Sequence, residues 1–454
     1  MSARPNATEP PVTVEPGSEP AGEEAEARLV ARVRAEVAGE LSQELGPGRL
    51  LSPSADDEAR VWASIAKHLA EANRQRLHAG HPPLSGEQQQ QIGQAVFDAL
   101  LRLGPLERYL AQDDLEELMV NGHRRAFVVR AGGVKQQIPT GFTSEAELRG
   151  FAGRTVAAAG RRLDEANPAA DARLPDGSRL HAICPPLAPF TCVTIRRHRL
   201  MAHSMADLVG LGTLTLPLAD LMSCAVLAGL NVVISGATAA GKTTALNAIA
   251  AAIPKGERVV TIEETQELAL DRHLPDCIAL EARFANVEGV GEVRLRDLVR
   301  HALRMRPTRI IVGEVRGPEA LDMLSAMNTG HEGSMGTIHA SSARQALSKL
   351  RLYATMADEA LSDERAADMI AETIDLVCQL RLLPGGRRVV AELAEVAGVE
   401  GGRVLTNALV TLGPDSEPMP TGLRPRAAER LEAAGWHPDR WLDQPLNHPN
   451  GWRR

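Results

Sequence analysis

Gly236-Ala237-Thr238-Ala239-Ala240-Gly241-Lys242-Thr243 is the stretch that decides the fold. It fits G-x-x-x-x-G-K-[ST], the pattern of a phosphate-binding loop. The apolar run Val232-Val233-Ile234 reads as a buried strand ahead of it, and the helix-forming run Ala245–Ala252 follows. The glycines let the backbone curl until its N–H groups face a phosphate, and a helix N-terminus adds positive potential there. Lys242 is placed to reach the β- and γ-phosphates of ATP and Thr243 to set its hydroxyl on Mg²⁺; Thr244 completes the nucleotide-binding set. The alternative is a chance glycine-rich strand–helix turn, which the flanking strand and helix make rare.

Downstream, strand-like and helical stretches alternate. The strands are predicted at Leu230–Ser235, Arg258–Glu263, Arg309–Val315 and Gly336–Ala340, which argues for a mostly parallel sheet covered by helices. Acids fall at strand ends, where ligands sit in such sheets. Val259-Val260-Thr261-Ile262 leads into Glu263-Glu264; either acid can hold a Mg²⁺-bound water or orient the attacking water, against the plain reading of an exposed acidic turn. Arg309-Ile310-Ile311-Val312-Gly313-Glu314 is a Walker-B-like strand whose acid, Glu314, polarises water. In Thr329–Ala340 a Gly/His loop with His331 runs into a short strand that contains His339, which is read as a donor to the γ-phosphate. Arg296, Arg300 and Arg304 share one helix face; a solvated basic face accounts for two of them, and Arg304 is read as neutralising phosphate charge.

The 454 residues predict two or three domains, with 44% hydrophobic and 24% charged residues allowing a sizeable core. A net charge of -8 and only 3% aromatic residues argue against direct nucleic-acid binding. The five cysteines form no CxxC pair and read as reduced, buried thiols of a cytoplasmic protein; a Cys184–Cys192 redox pair is the lesser reading. No signal peptide is visible. Leu221–Gly241 is uncharged and long enough to span a bilayer, yet its change of period and its end in the phosphate loop make it a helix plus a buried strand. The expected layout is a disordered Pro- and Glu-rich tail at 1–28, a helical leader at 29–104, an α+β domain at 105–198 and a linker at 199–214. An α/β ATPase domain at 215–410 and a Pro-rich tail at 411–454, with one short helix near Arg424–Ala434, complete it. Within the α+β domain, Asp176-Gly177 marks a hairpin turn.

Taken together, Gly-x-Thr-x-x-Gly-Lys-Thr-Thr, Ile-Glu-Glu-Thr-x-Glu-Leu, Leu-Arg-Met-Arg-Pro, Ile-Ile-Val-Gly-Glu-Val-Arg-Gly and Met-Asn-Thr-Gly-His-Glu-Gly-Ser-Met-Gly-Thr-Ile-His-Ala stand in a known order. The chain resembles the type II/type IV secretion ATPase superfamily, most closely the CpaF-like tight-adherence (Flp) pilus assembly ATPases, over roughly residues 100–400. The resemblance implies a RecA-like C-terminal ATPase domain, a smaller PAS-like α+β N-terminal domain and a hexameric ring. It also implies a place at the cytoplasmic face of the inner membrane, held through platform proteins. It puts Walker A on Gly236–Thr243, the acidic box on Glu263 and Glu264, Walker B on Glu314 and the His box on His339. Ring motors of this kind take an arginine from a neighbouring subunit, for which Arg179 and Arg196 are the candidates; each also reads as a surface arginine. Three departures bear on turnover more than on binding: Glu264 for Asp, Thr308 for Asp, and Ala239-Ala240 where glycine or serine is usual. A DNA-transfer or competence motor, and a nucleotide-gated adaptor with little turnover, are the rival functions.

Overall fold

The computed structural model describes residues 21–44, 54–130, 133–197, 202–283, 285 and 290–438. The chain divides after His198 into two units. The first begins with helices α1 (Ala21–Glu44), α2 (Ala55–His78) and α3 (Gly86–Leu101). Capping boxes fix two of the starts: Ser54 with Asp57, and Ser85 with Gln88. Val33, Val37, Leu41, Ile65, Ile92 and Val96 recur at helical spacing and close a small core. Helix α1 starts at Ala21, ahead of the expected boundary at 28, so part of the segment assigned to a disordered tail is helical; residues 1–20 lie outside the described residues.

Helix α4 (Glu107–Leu110) leads into β1 (Leu115–Asn121), β2 (Ala126–Arg130) and β3 (Val134–Ile138); α5 (Glu145–Ala158) follows, then β4 (Ala169–Arg173), β5 (Arg179–Ile183) and β6 (Cys192–Arg196). The strands pair antiparallel in the order β3-β2-β1-β6-β5-β4. One face, with Leu118, Leu180 and Ile195, is buried with Phe151 and Val156 of α5. The Asp176-Gly177 turn joins β4 to β5, with Gly177 at a φ of 86° that favours glycine.

The second unit runs α6 (Met205–Gly210), α7 (Leu216–Leu227), β7 (Val232–Gly236), α8 (Lys242–Ala250), β8 (Val259–Glu263), β9 (Cys277–Glu281), α9 (Leu295–Ala302) and β10 (Arg309–Val315). It continues with α10 (Glu319–Asn328), β11 (Met335–His339), α11 (Ala343–Thr355), α12 (Asp363–Thr373), β12 (Leu376–Leu382), β13 (Arg388–Glu400), β14 (Arg403–Leu412), β15 (Pro418–Pro420) and α13 (Ala428–Ala433). The sheet order is β15-β14-β13-β12-β7-β11-β10-β8-β9, parallel from β12 to β9 and antiparallel beyond β12. Strand β7 has β12 on one side and β11 on the other, so the order reverses there. Ligands bind at such a switch point, beyond the carboxyl ends of the strands. Helices α7 and α8 pack on one face of the sheet and α9 to α12 on the other, each over its own buried core.

Two expected boundaries are corrected. The segment assigned to a linker at 199–214 contains α6, whose Leu208 enters the core. The segment assigned to a tail after 410 continues the sheet through β14 and β15, and then buries Leu431 and Trp436 against it; residues 439–454 lie outside the described residues. Leu221–Gly241 is split between α7 and β7, and among the described residues no helix is long and apolar enough to cross a membrane.

Candidate nucleotide site

The loop after β7 is shaped by its neighbours. Gly236 pairs with His339 of β11 on one side and with Leu380 of β12 on the other. A Cβ on Gly236 would stand 3.0 Å from Ala240 Cβ and 3.1 Å from the Leu380 carbonyl oxygen, so only glycine fits without displacement. Ala237, Thr238 and Ala239 are exposed, and Ala240 is buried. Gly241, at φ 89°, opens α8 and sets Lys242, Thr243 and Thr244 on its first turn. The Lys242 side chain is only 11% exposed. Its ammonium donates to the Ala237 carbonyl at 3.3 Å and lies 3.9 Å from Glu314 Oε1.

Glu314 is the next link. Its Oε2 takes a hydrogen bond from Arg316 Nη2 at 2.6 Å, and Arg316 Nη1 reaches Glu264 Oε2 at 3.0 Å. Burial works against the charge on Arg316, but Glu314, Glu264 and Glu267 outweigh it and hold the guanidinium above its ordinary pKa. The Arg316 loop is fastened by Glu319, which accepts the N–H groups of Arg316 and Gly317 at 2.6 and 2.8 Å.

Glu263 takes a different position from the expected one. It is 2% exposed, and its Oε1 accepts the N–H groups of Glu267 and Leu268 at 2.9 and 3.0 Å. A Cβ on Gly313 would stand 2.8 Å from Glu263 Cγ, which explains the glycine before Glu314. Glu263 therefore shapes the acidic turn from inside, and Glu264 is the acid of the pair that joins the exposed chain of charges. This corrects the assignment of Glu263 as a holder of Mg²⁺ through water.

His339, at the exposed end of β11, is brought beside the loop by its pairing with Gly236. His331 stands before the start of β11, where its Nδ1 lies 3.1 Å from the Ala326 carbonyl. Arg304 is also corrected: it sits exposed on the turn Leu303–Met305, ahead of β10, whereas Glu314 lies near that strand's end. Seven residues of strand at about 3.3 Å each separate the two ends, so Arg304 does not reach the phosphate loop of its own chain. Arg296 and Arg300 are engaged by Asp322 and Glu359, a structural ion-pair network. In the first unit Arg179 and Arg196 are direct cross-strand partners, with Arg173 next in the row. Arg196 also lies 3.6 Å from Glu117.

Three contributors were not singled out in the sequence. Buried Asn247 of α8 accepts the Ala269 N–H at 3.1 Å and so ties the phosphate-loop helix to the acidic turn. Gln379 of β12 meets Ser235 Oγ at 2.5 Å, under the loop's entry. Arg388 of β13 donates Nε to the Ala239 carbonyl at 2.9 Å. A polar residue in a helix interior is a faint signal for the first. Nothing in spacing links Arg388 to a loop so far back in the chain.

Residues 100–396 match the family described as type II/IV secretion system protein. The chain belongs to that family. A putative conjugal transfer protein of Mycobacterium tuberculosis strain H37Rv is 38% identical over 307 residues, covering 66% of this chain and 85% of its own length. The type IV secretion system protein PtlH of Bordetella pertussis is 32% identical over 323 residues, covering 64% and 93%. The crystal structure of the VirB11 ATPase of Brucella suis aligns at 25% identity with a TM-score of 0.35, covering 64% of this chain and 95% of that one. The superfamily read from the motifs is thereby borne out; the narrower likeness to tight-adherence pilus motors rests on the motifs alone.

The donor set fits Mg²⁺. That ion keeps several waters and is held by one or two protein oxygens together with substrate phosphates, not by a protein cage. Among the described residues no group of three or more His, Cys, Asp or Glu side chains forms such a cage. The Thr243 hydroxyl stands on the first turn of α8, and Glu314 and Glu264 offer carboxylates that are 26% and 41% exposed.

Proposed function

We propose that this chain binds ATP with Mg²⁺ on Gly236–Thr244 and hydrolyses it to ADP and phosphate. A ring of copies, taken as a hexamer, would use that reaction to drive pilus assembly or secretion from the cytoplasmic face of an inner membrane, docked on platform proteins there. The observation that carries this reading is the line Lys242–Glu314–Arg316–Glu264 beside the phosphate loop. In it each cation is held between or beside acids and stays partly exposed.

In this reading the water oxygen attacks the γ-phosphorus, the bond to the β–γ bridging oxygen breaks, and Glu314 accepts the water's proton. Lys242 and Arg316 offset the charge that builds on the phosphoryl oxygens, which is most of what such a reaction requires. Thr243 would hold Mg²⁺ on the first turn of α8, and the ion's charge would offset that of the bound phosphates. His339 reports the γ-phosphate from the end of β11. The cross-strand row Arg173–Arg179–Arg196 gathers three cations, with Glu117 opposite the last of them. We assign Arg179 and Arg196 to the γ-phosphate of the neighbouring subunit.

Steady-state phosphate release by the full chain with MgATP, set against Lys242→Ala, tests the reaction; equal release by both would end the proposal. A second reading, DNA transfer through partner proteins, is favoured by the conjugal-transfer relative. Turnover stimulated by duplex DNA in the presence of membrane partners selects it.

A further inference from the structure

The phosphate loop contains one residue with a side chain in the left-handed backbone region: Ala239, at φ 61°. The Cβ of an L-residue disfavours that conformation. What holds Ala239 there lies outside the loop. Arg388 Nε donates to the Ala239 carbonyl at 2.9 Å, and Arg388 Cδ fills the space over Gly241, 3.1 Å from where a Cβ would stand. Arg388 opens β13 opposite Leu382 of β12, the strand whose Leu380 pairs with Gly236. The brace and the loop's entry are therefore set by one sheet.

We propose that Arg388 is a positioning residue for the phosphate loop, supplying from β13 the conformational hold that glycine at position 239 would make unnecessary. The carbonyl of Ala239 and the N–H of Ala240 share one planar peptide unit and point opposite ways. Fixing the carbonyl therefore aims the N–H. That N–H donates to the Ala237 carbonyl at 3.3 Å, the same oxygen that takes the Lys242 ammonium at 3.3 Å. The hold on Ala239 thus reaches Lys242 through one peptide plane and one carbonyl. A guanidinium donor makes the hold stronger than a neutral hydrogen bond. The functional consequence rests on the reading of this loop as an ATP site; the brace itself does not.

The test uses the full chain in five forms: unaltered, Arg388→Ala, Ala239→Gly, the Arg388→Ala/Ala239→Gly double variant, and Arg388→Lys, which keeps the stem and charge. Hydrogen exchange of residues 237–242 without nucleotide reads the brace, and equilibrium binding of MgATPγS with the KM and kcat for ATP reads its consequence. Arg388→Ala and Arg388→Lys are expected to speed exchange, to weaken binding by about 10-fold, as for one hydrogen bond to a charged group, and to raise KM with kcat nearly unchanged. Adding Ala239→Gly restores most of the affinity. Unchanged exchange in Arg388→Ala overturns the proposal, as does an equal loss of affinity with and without Ala239→Gly, which would make Arg388 a charge on the nucleotide. Failure of the unaltered chain to bind MgATPγS would instead remove the ATP reading, while the exchange data still judge the brace.

Discussion

The two ends of the parallel strands in the second unit carry similar polar residues in opposite arrangements. At the amino ends they are buried and bonded several times over. Arg309, 4% exposed at the start of β10, gives Nε and Nη2 to Glu257 at 2.7 Å each and Nη1 to the Val226 carbonyl at 2.7 Å. Asn231, ahead of β7, bonds Thr373 and Ser334, and Ser334 bonds His331 and Ile310. At the carboxyl ends Lys242, Glu314, Arg316 and Glu264 form a line of charges in which Arg316 and Glu264 remain 57% and 41% exposed. Groups buried and satisfied by their own chain cannot take a new partner without loss; groups that keep part of their surface in solvent can. The cavity of about 290 Å³ lined by Asp375, Glu395 and Arg430 lies at the amino ends, away from the phosphate loop.

Substitutions at the two ends should therefore separate activity from stability. The largest effect is expected from Lys242→Ala: phosphate release falls by at least about 10³-fold while circular dichroism is unchanged. A coincident loss of fold would erase the contrast. Glu314→Gln is expected to lower turnover by roughly 10²-fold and to retain ATP binding by equilibrium dialysis. Arg309→Ala should act the other way, lowering stability by about 3 kcal/mol through the acid it leaves behind. Urea unfolding reads that loss, and the folded fraction keeps its kcat. The two histidines sharpen the comparison within one motif. His339→Ala should cut turnover by about 10-fold at unchanged stability, and His331→Ala should shift only the unfolding midpoint.

The smallest effect is a pH slope. Burial pushes the Asp375 carboxyl above its ordinary 3.8, against the opposing Asn231 N–H and Arg430. A raised folded pKa means that the stability from this group is present below about 3.8 and is lost as pH rises through the folded value. Asp375→Asn should flatten that slope in urea midpoints measured across the range.

Much of this division was legible in the sequence where one short stretch sets both geometry and chemistry. Val232–Thr243 reads as strand, loop and helix because apolar burial, glycine freedom and the helix start are all local. Glu314 follows for the same reason. Glu263 was misplaced because adjacent residues in a strand point to opposite faces, and the pattern Glu-Glu does not say which one turns inward. The glycine at 313 was the available clue. Strand β9 was missed because Cys277–Glu281 is half-buried throughout and shows no alternation. The short helix near Arg424–Ala434 is legible and stands as α13, but the β14 and β15 extension before it reads as a tail because its glycines and prolines resemble linker composition, while its burial depends on a sheet built from distant segments. Arg388 belongs with these: its contact spans 149 positions of chain.

Strand β15 adds a consequence for how copies can join. It is three residues long, Pro418-Met419-Pro420, and forms one border of the nine-stranded sheet. A proline nitrogen has no hydrogen to offer, so two of its three residues lack the donor that an incoming strand would need. Short, proline-bearing borders of this kind block edge-to-edge joining of sheets. Were copies of the chain to join, sheet continuation at this border would be disfavoured and side-chain surfaces would have to carry the contact.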